Sequence, residues 1–206
     1  MKKDNLSEKE SLELISKMIQ QTKQNLEVGS GNILLLYGYI SVIASIVTYL
    51  MCYFTSQMYW HSLWFILFIP IIYNLVFQKK RSVVTYTDKA IDNIWKVINL
   101  LFILSVLTIL VMGVITKVFI FIPMLPLSLL YVGIGTACTG VIMNEKSMTY
   151  FPIVSFVISI YMLMHLFTYG RFDLEWNLLG GLAFLLMLVI PGHILNHKSS
   201  KQCSKN

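Results

Sequence analysis

Six stretches of about 20 residues in this chain are almost wholly apolar, and their length constrains the fold more than any other feature. A helix needs about 20 apolar residues to cross the roughly 30 Å hydrocarbon core of a bilayer. Only helices and closed barrels satisfy every backbone polar group in lipid, and these stretches lack the apolar–polar alternation of barrel strands. The sequence therefore predicts an all-α, polytopic transmembrane helical bundle with six spans, at residues 33–54, 59–77, 94–116, 119–143, 147–168 and 174–195.

The composition supports a membrane location. Of the 206 residues, 56% are hydrophobic and 13% are charged, whereas soluble domains carry about 25% charged residues. A soluble core of this size cannot hide so much apolar surface, so we expect much of that surface to face lipid. The lipid bilayer is the first predicted partner.

The positive charges predict the orientation. The chain contains 16 Lys and Arg residues; relative to the predicted spans, Lys117 and Arg171 lie on one side and the remaining 14 on the other. Positive residues concentrate on the cytoplasmic side of membrane proteins. We therefore expect a multi-pass protein of the cell inner (plasma) membrane with both termini in the cytoplasm. This topology accounts for the net charge of +6 without a nucleic-acid partner.

Residues 1–32 differ from the membrane domain at 33–195 and from the polar cytoplasmic tail at 196–206. Apolar side chains recur there at spacings of three, four and seven residues, so they share one face of a helix. We predict a cytoplasmic amphipathic helix that ends in a glycine hinge at Gly29 and Gly31. The apolar face is formed by Leu12, Ile15, Ile19 and Leu26.

The charge of this segment favours docking on protein. Residues 1–30 contain five basic and five acidic side chains, whereas helices that adsorb to anionic lipid are basic on their polar face. The docking surface could be the bundle itself, a second copy of the chain, or another protein.

Small side chains cluster in the fourth predicted span. At a spacing of one helical turn, such residues let helices approach closely. We interpret them as contacts within the bundle, with a dimer face as the alternative. The candidate packing residues are Gly133, Gly135, Ala137 and Gly140.

Two groups of side chains could bind metal or haem. His193 and His197 are one turn apart, and the other group shares thioether, thiol and imidazole ligands that suit copper. We interpret both as ordinary span and interface residues, because neither forms a complete ligand motif. The sequence predicts no catalytic residue, no cofactor and no metal site. The second group comprises Met51, Cys52, Met58, His61, Met112, Met162, Met164 and His165.

The function predicted from these features is a non-enzymatic regulatory or scaffold subunit that docks protein through its N-terminal helix. The alternative is a small oligomeric channel or facilitator for a neutral or weakly charged solute. No acidic residue lies in the middle of a span, which argues against coupling to protons or sodium. Polar span residues that share a wet lumen would favour the facilitator, and polar residues that pair across helices would favour the scaffold. These residues are Asn74, Asn99, Thr108, Thr136, Thr139 and Asn144.

Four segments also resemble a known group of proteins. They are SEKESLELISKMIQQTKQNLEVGSGN at residues 7–32, the aromatic first span, GIGTACTGVIM at 133–143 and VIPGHILNHK at 189–198. Together they resemble small six-span bacterial inner-membrane proteins with a cytoplasmic amphipathic N-terminal helix. The resemblance implies a bacterial inner membrane. It implies no site residue, because that group has no established activity.

Overall fold

The computed structural model describes residues 31–68, 86–119 and 121–203, and every regular element within those ranges is helical. The prediction of an all-α protein is confirmed for these residues. In chain order the elements are α1 (Asn32–Thr55), a 3-10 helix (Met58–Phe68), α2 (Tyr86–Thr116), α3 (Met124–Ile142), α4 (Lys146–Tyr150), α5 (Pro152–Tyr169), α6 (Trp176–Phe184), a π-helical turn (Leu185–Val189) and α7 (Ile190–Cys203).

Five helical stretches are long and apolar enough to cross a membrane, as predicted for a polytopic protein. The fourth combines α4 with α5, and the fifth combines α6, the π-helical turn and most of α7. The stretches are Asn32–Thr55, Thr87–Thr116, Met124–Ile142, Lys146–Tyr169 and Trp176–Lys198.

The remaining predicted span and the N-terminal helix lie wholly or partly outside the described residues. Of the span predicted at 59–77, the part up to Phe68 belongs to the 3-10 helix, and residues 69–77 are outside the described ranges. The amphipathic helix predicted within residues 1–30 is also outside them. The sixth span, that helix and the orientation in the membrane stay predictions.

Three helix boundaries differ from the predicted ones. The third span was predicted from residue 94, but α2 begins earlier, at Tyr86. The fourth span was predicted from residue 119, but α3 begins at Met124, directly after Pro123. Proline lacks a backbone N–H and is favoured at the start of a helix, and Lys117 before it has a positive φ of 60°. At the other end of the chain, α7 continues to Cys203, so the tail predicted from residue 196 begins as helix.

The last membrane-crossing stretch lies at the centre of the bundle. In its most apolar window 56% of residues are buried, compared with 11% for α2, which packs on α3 and turns a long apolar face outward. A helix that is apolar on its exposed side is suited to a lipid environment. The central core is formed by Leu125, Leu129, Met162, Trp176, Ala183, Phe184, Met187 and Leu188.

The helices define two ends of the bundle. The Asp173 end contains the loops at 117–123 and 170–175, and the Asn196 end contains the start of α1, the α3–α4 turn and α7. The α3–α4 turn is tight, with Asn144 at a positive φ of 54°. At the Asn196 end, Glu145 Oε2 accepts a hydrogen bond of 2.6 Å from Lys198 Nζ, which joins this turn to α7.

Candidate functional site

The candidate packing residues of α3 contact three different helices of the same chain. A Cβ on Gly133 would lie 2.7 Å from the Phe156 ring on α5, and one on Gly135 would lie 3.3 Å from Trp95 and Ile98 on α2.

Gly140 makes the tightest of these contacts. A Cβ there would lie 2.6 Å from the backbone nitrogen of Thr149 on α4, an atom that cannot move without shifting the helix. Ala137 is half-buried. The small residues of α3 thus lie where helices of this bundle meet.

A buried asparagine connects three elements at the Asp173 end. Asn177, the second residue of α6, has no solvent exposure. Its Oδ1 accepts a hydrogen bond of 3.1 Å from Trp64 Nε1 of the 3-10 helix. Its Nδ2 donates to Leu174 O at 3.1 Å, and its backbone oxygen accepts from Ser45 Oγ of α1 at 2.5 Å. Every polar atom of this side chain is satisfied inside the protein, as a buried amide requires.

Asn177 also faces one ring nitrogen of a histidine. Because Trp64 donates to Oδ1, the amide turns Nδ2 toward His61 Nε2, 3.2 Å away. That nitrogen must accept, so the proton of a neutral imidazole lies on Nδ1. Nδ1 faces Cys52 Sγ at 3.7 Å.

This order of contacts has a chemical consequence for Cys52. A thiol, an imidazole and an amide in sequence can form a nucleophilic relay, but the imidazole nitrogen facing the thiol must then be free to accept its proton. Here that nitrogen is the donor. In this arrangement the trio stabilises the junction between α1, the 3-10 helix and α6 rather than activating the thiol.

A second group of polar side chains lies between α5 and α6. His165 Nε2 is 3.2 Å from Asp173 Oδ2, and Arg171 Nε is 3.7 Å from Asp173 Oδ1. The imidazole is surrounded by aromatic rings, with centroid distances of 4.6 Å to Tyr169 and 5.3 Å to Trp176. The aromatic surroundings and Asp173 together hold the ring of His165 in place.

An open cleft of about 430 Å³ adjoins this group. It is lined by Asp173, Glu175 and Trp176 at the Asp173 end, and by Tyr161 of α5 and leucines of α6, among them Leu182, farther along the bundle. Along α6 an acidic residue, an aromatic residue and leucines therefore follow one another from the Asp173 end toward the middle of the bundle.

The soft-ligand residues do not gather into one metal site among the described residues. Cys52 and His61 are close, and Met162 belongs to the core. Met51, Met112 and Met164 are exposed on separate helices. In the ranges 31–68, 86–119 and 121–203, no group of three His, Cys, Asp or Glu side chains could hold a metal ion.

The HxxxH pair of α7 is exposed and one of its members has a protein partner. His193 Nε2 is 2.6 Å from the hydroxyl oxygen of Tyr39 on α1, and His197 is exposed. The pair therefore lies on the outside of α7, where His193 joins it to α1.

The start of α1 is fixed to α7 at the Asn196 end. The amide nitrogen of Gly31 donates to Asn196 Oδ1 at 3.1 Å, and Asn196 Nδ2 donates to Asn32 Oδ1 at 2.7 Å. Gly31 has helical dihedrals, and a Cβ on it would lie 2.6 Å from Gly192 O. Gly31, predicted as part of a hinge, is instead held against α7. The other predicted hinge residue, Gly29, lies outside the described residues.

The candidate docking residues cannot be placed on this framework. Leu12, Ile15, Ile19 and Leu26 all lie outside the described residues. The structure adds residues that the sequence analysis did not single out, namely Asn177, Asn196 and the Glu145–Lys198 pair. The one sequence signal for the two asparagines was that each is a polar residue close to one end of the last predicted span.

Comparisons with known proteins add no assignment: no family model, no curated protein and no solved structure matches this chain. Within the part of the chain that the structure describes, the fold and these contacts define the class, an all-helical protein with five helices long and apolar enough to cross a membrane.

Replacing Asn177 by leucine should lower the free energy of unfolding by about 2–3 kcal/mol, because it leaves Trp64 Nε1 without its acceptor and removes the side-chain hydrogen bonds to Leu174 O and His61. Unfolding of the detergent-purified protein by a denaturing detergent would measure the change. Asn99→Leu is the matched control, since Asn99 is exposed on α2. Equal stability of the two variants would show that the Asn177 contacts contribute nothing.

Proposed function

We propose that this protein is a non-enzymatic regulatory or scaffold subunit of a membrane, which binds a protein partner through its N-terminal segment. The observation that best supports the proposal is the way its polar span residues are used. Several buried or partly buried serines pair across helices inside the bundle, as a rigid platform requires.

Three serines illustrate this pairing. Ser159 Oγ of α5 donates to Pro126 O of α3 at 2.7 Å, and Ser155 Oγ of α5 lies 3.3 Å from Ala183 O of α6. Ser105 Oγ of α2 is 2.8 Å from the hydroxyl oxygen of Tyr131 on α3. Hydrogen bonds of this kind join helices in a medium that offers no water as a substitute partner.

The polar residues that could have lined a lumen are arranged differently. Thr136 and Thr139 are buried, and their hydroxyls donate to carbonyls of their own helix at 2.8 and 2.7 Å. Asn99 and Thr108 are exposed on α2. Asn144 forms the α3–α4 turn, and Asn74 lies outside the described residues. Among the described residues these side chains do not converge, which favours the scaffold over the facilitator.

The anchored start of α1 supports docking through the preceding segment. Gly31 and Asn32 are bound to Asn196, so the first described residues are held at a fixed point beside α7. The salt bridge between Lys198 and Glu145, whose side chain is 9% exposed, holds the α3–α4 turn to α7 at the same end. A partner bound to the N-terminal segment would thus be held at a defined position relative to the membrane.

A proteoliposome experiment separates the platform from the facilitator. We expect vesicles that contain the purified protein to swell in glycerol or urea at the rate of protein-free vesicles, because the described polar span residues do not converge on a lumen. Stopped-flow light scattering measures this rate. Swelling that accelerates in proportion to the amount of incorporated protein would contradict the proposal and favour the facilitator.

A further inference from the structure

The cleft beside α5 and α6 combines acidic, aromatic and aliphatic side chains. Its two acidic residues, Asp173 and Glu175, lie at the Asp173 end of the bundle, where a membrane-crossing helix begins. Trp176 comes next, and tryptophan favours the boundary between headgroups and acyl chains. Leu182, half exposed, follows nearly two helical turns below Trp176, and Tyr161 of α5 lies at a similar depth, about 12 Å from the end of its helix at Tyr169.

We propose that this cleft binds a phospholipid whose headgroup ends in a primary ammonium group, such as phosphatidylethanolamine. The ammonium group would donate hydrogen bonds to Glu175 and Asp173, and Trp176 would lie beside the carbon atoms that follow it. An acyl chain would then lie along the leucines of α6. From the Asp173 end inward, the cleft thus presents acidic groups and then apolar side chains. A phospholipid in a bilayer presents its headgroup and its acyl chains in the same order.

Charge complementarity selects this headgroup over others. Glu175 is exposed, and its carboxylate has no protein partner among the described residues, so it is available to a cation. Arg171, 72% exposed, lies beside Asp173 and can face the lipid phosphate. A zwitterionic headgroup presents opposite charges to these two groups. The carboxylates would repel an anionic headgroup that has no amine. A quaternary amine has no N–H group that could donate a hydrogen bond to them.

Native mass spectrometry of the full-length protein in detergent can test this site. The probes are dioleoyl phosphatidylethanolamine, phosphatidylcholine and phosphatidylglycerol, each titrated separately to give a dissociation constant. We expect the ethanolamine lipid to bind the wild-type protein about three- to fivefold more tightly than the other two, the effect of a partly exposed charge-assisted hydrogen bond.

Two substitutions at one exposed position make the test specific. Glu175→Gln should remove the preference for phosphatidylethanolamine. Glu175→Lys should shift the preference to the anionic phosphatidylglycerol. Neither change removes a contact within the described bundle, so both variants should fold. Asp92→Asn, which removes an exposed carboxylate from α2, is the matched control and should leave all three constants unchanged.

Two results would overturn the proposal. One is equal binding of phosphatidylethanolamine and phosphatidylglycerol to the wild-type protein. The other is an unchanged ethanolamine preference in Glu175→Gln.

Discussion

Replacing Gly140 by alanine is expected to lower the midpoint of thermal unfolding by roughly 5–10 °C, from a loss of about 2–3 kcal/mol in the free energy of unfolding. The added methyl group would lie 2.6 Å from Thr149 N and 2.7 Å from Met148 C. Both atoms belong to the backbone of α4, so the strain can be relieved only by moving α3 and α4 apart. That movement would also disturb Glu145, whose amide donates to Gly140 O at 2.8 Å.

Gly135→Ala provides the matched control in the same helix. Its added methyl group would lie 3.3 Å from side-chain atoms of Trp95 and Ile98, which can adjust by small rotations. Alanine also has a higher helix propensity than glycine. Differential scanning fluorimetry of both variants in detergent should therefore show a large loss for Gly140→Ala and little change for Gly135→Ala. Equal midpoints would mean that the α3–α4 contact is not as close as described.

The sequence was sufficient to predict the helical class and three of the membrane-crossing stretches to within about three residues of their ends. Continuous apolar stretches of the right length have few alternatives, because lipid leaves only helices and closed barrels. The tight turn near Asn144 was also predictable, since only three residues separate two spans there. The boundary at Met124 was missed because apolar residues continue through the loop before Pro123, and hydrophobicity alone does not show where a helix begins.

The contacts between helices could not be predicted from the sequence. Asn177 lies near the end of a span, where an asparagine is usually exposed to headgroups and water. Only the tertiary arrangement shows that Trp64, His61 and Ser45 surround it. The spacing of Gly133, Gly135 and Gly140 indicated close packing, but it could not indicate that they face three different helices.

Gly31 contacts α7, whereas the sequence predicted a hinge at this position. Two glycines close together indicated a flexible joint, since glycine adopts many backbone conformations. Gly31 instead has ordinary helical dihedrals, and its lack of a side chain allows close approach to Gly192 and Asn196. The sequence alone does not distinguish a glycine that allows close packing from a glycine that allows flexibility.

Docking of the N-terminal segment has the largest expected effect on function. Burial of the apolar face formed by Leu12, Ile15, Ile19 and Leu26 could contribute about 6 kcal/mol before ordering costs. Placing two aspartates on that face, as Ile15→Asp with Ile19→Asp, should reduce partner binding at least about tenfold, because each charge would have to be desolvated. If the segment docks on the bundle itself, the same substitutions will instead lower the stability of the bundle.

Quantitative co-purification from membranes tests this docking most directly. The full-length tagged protein is compared with Ile15→Asp/Ile19→Asp and with Gln21→Asp/Gln24→Asp, which adds the same charge to the opposite face of the predicted helix. A second copy of the chain with a different tag reports self-association in the same experiment. The account predicts that at least one partner retained by the wild type and the control is depleted about tenfold from the first variant. If that variant keeps its expression, its stability and every partner, the N-terminal helix is not the docking element.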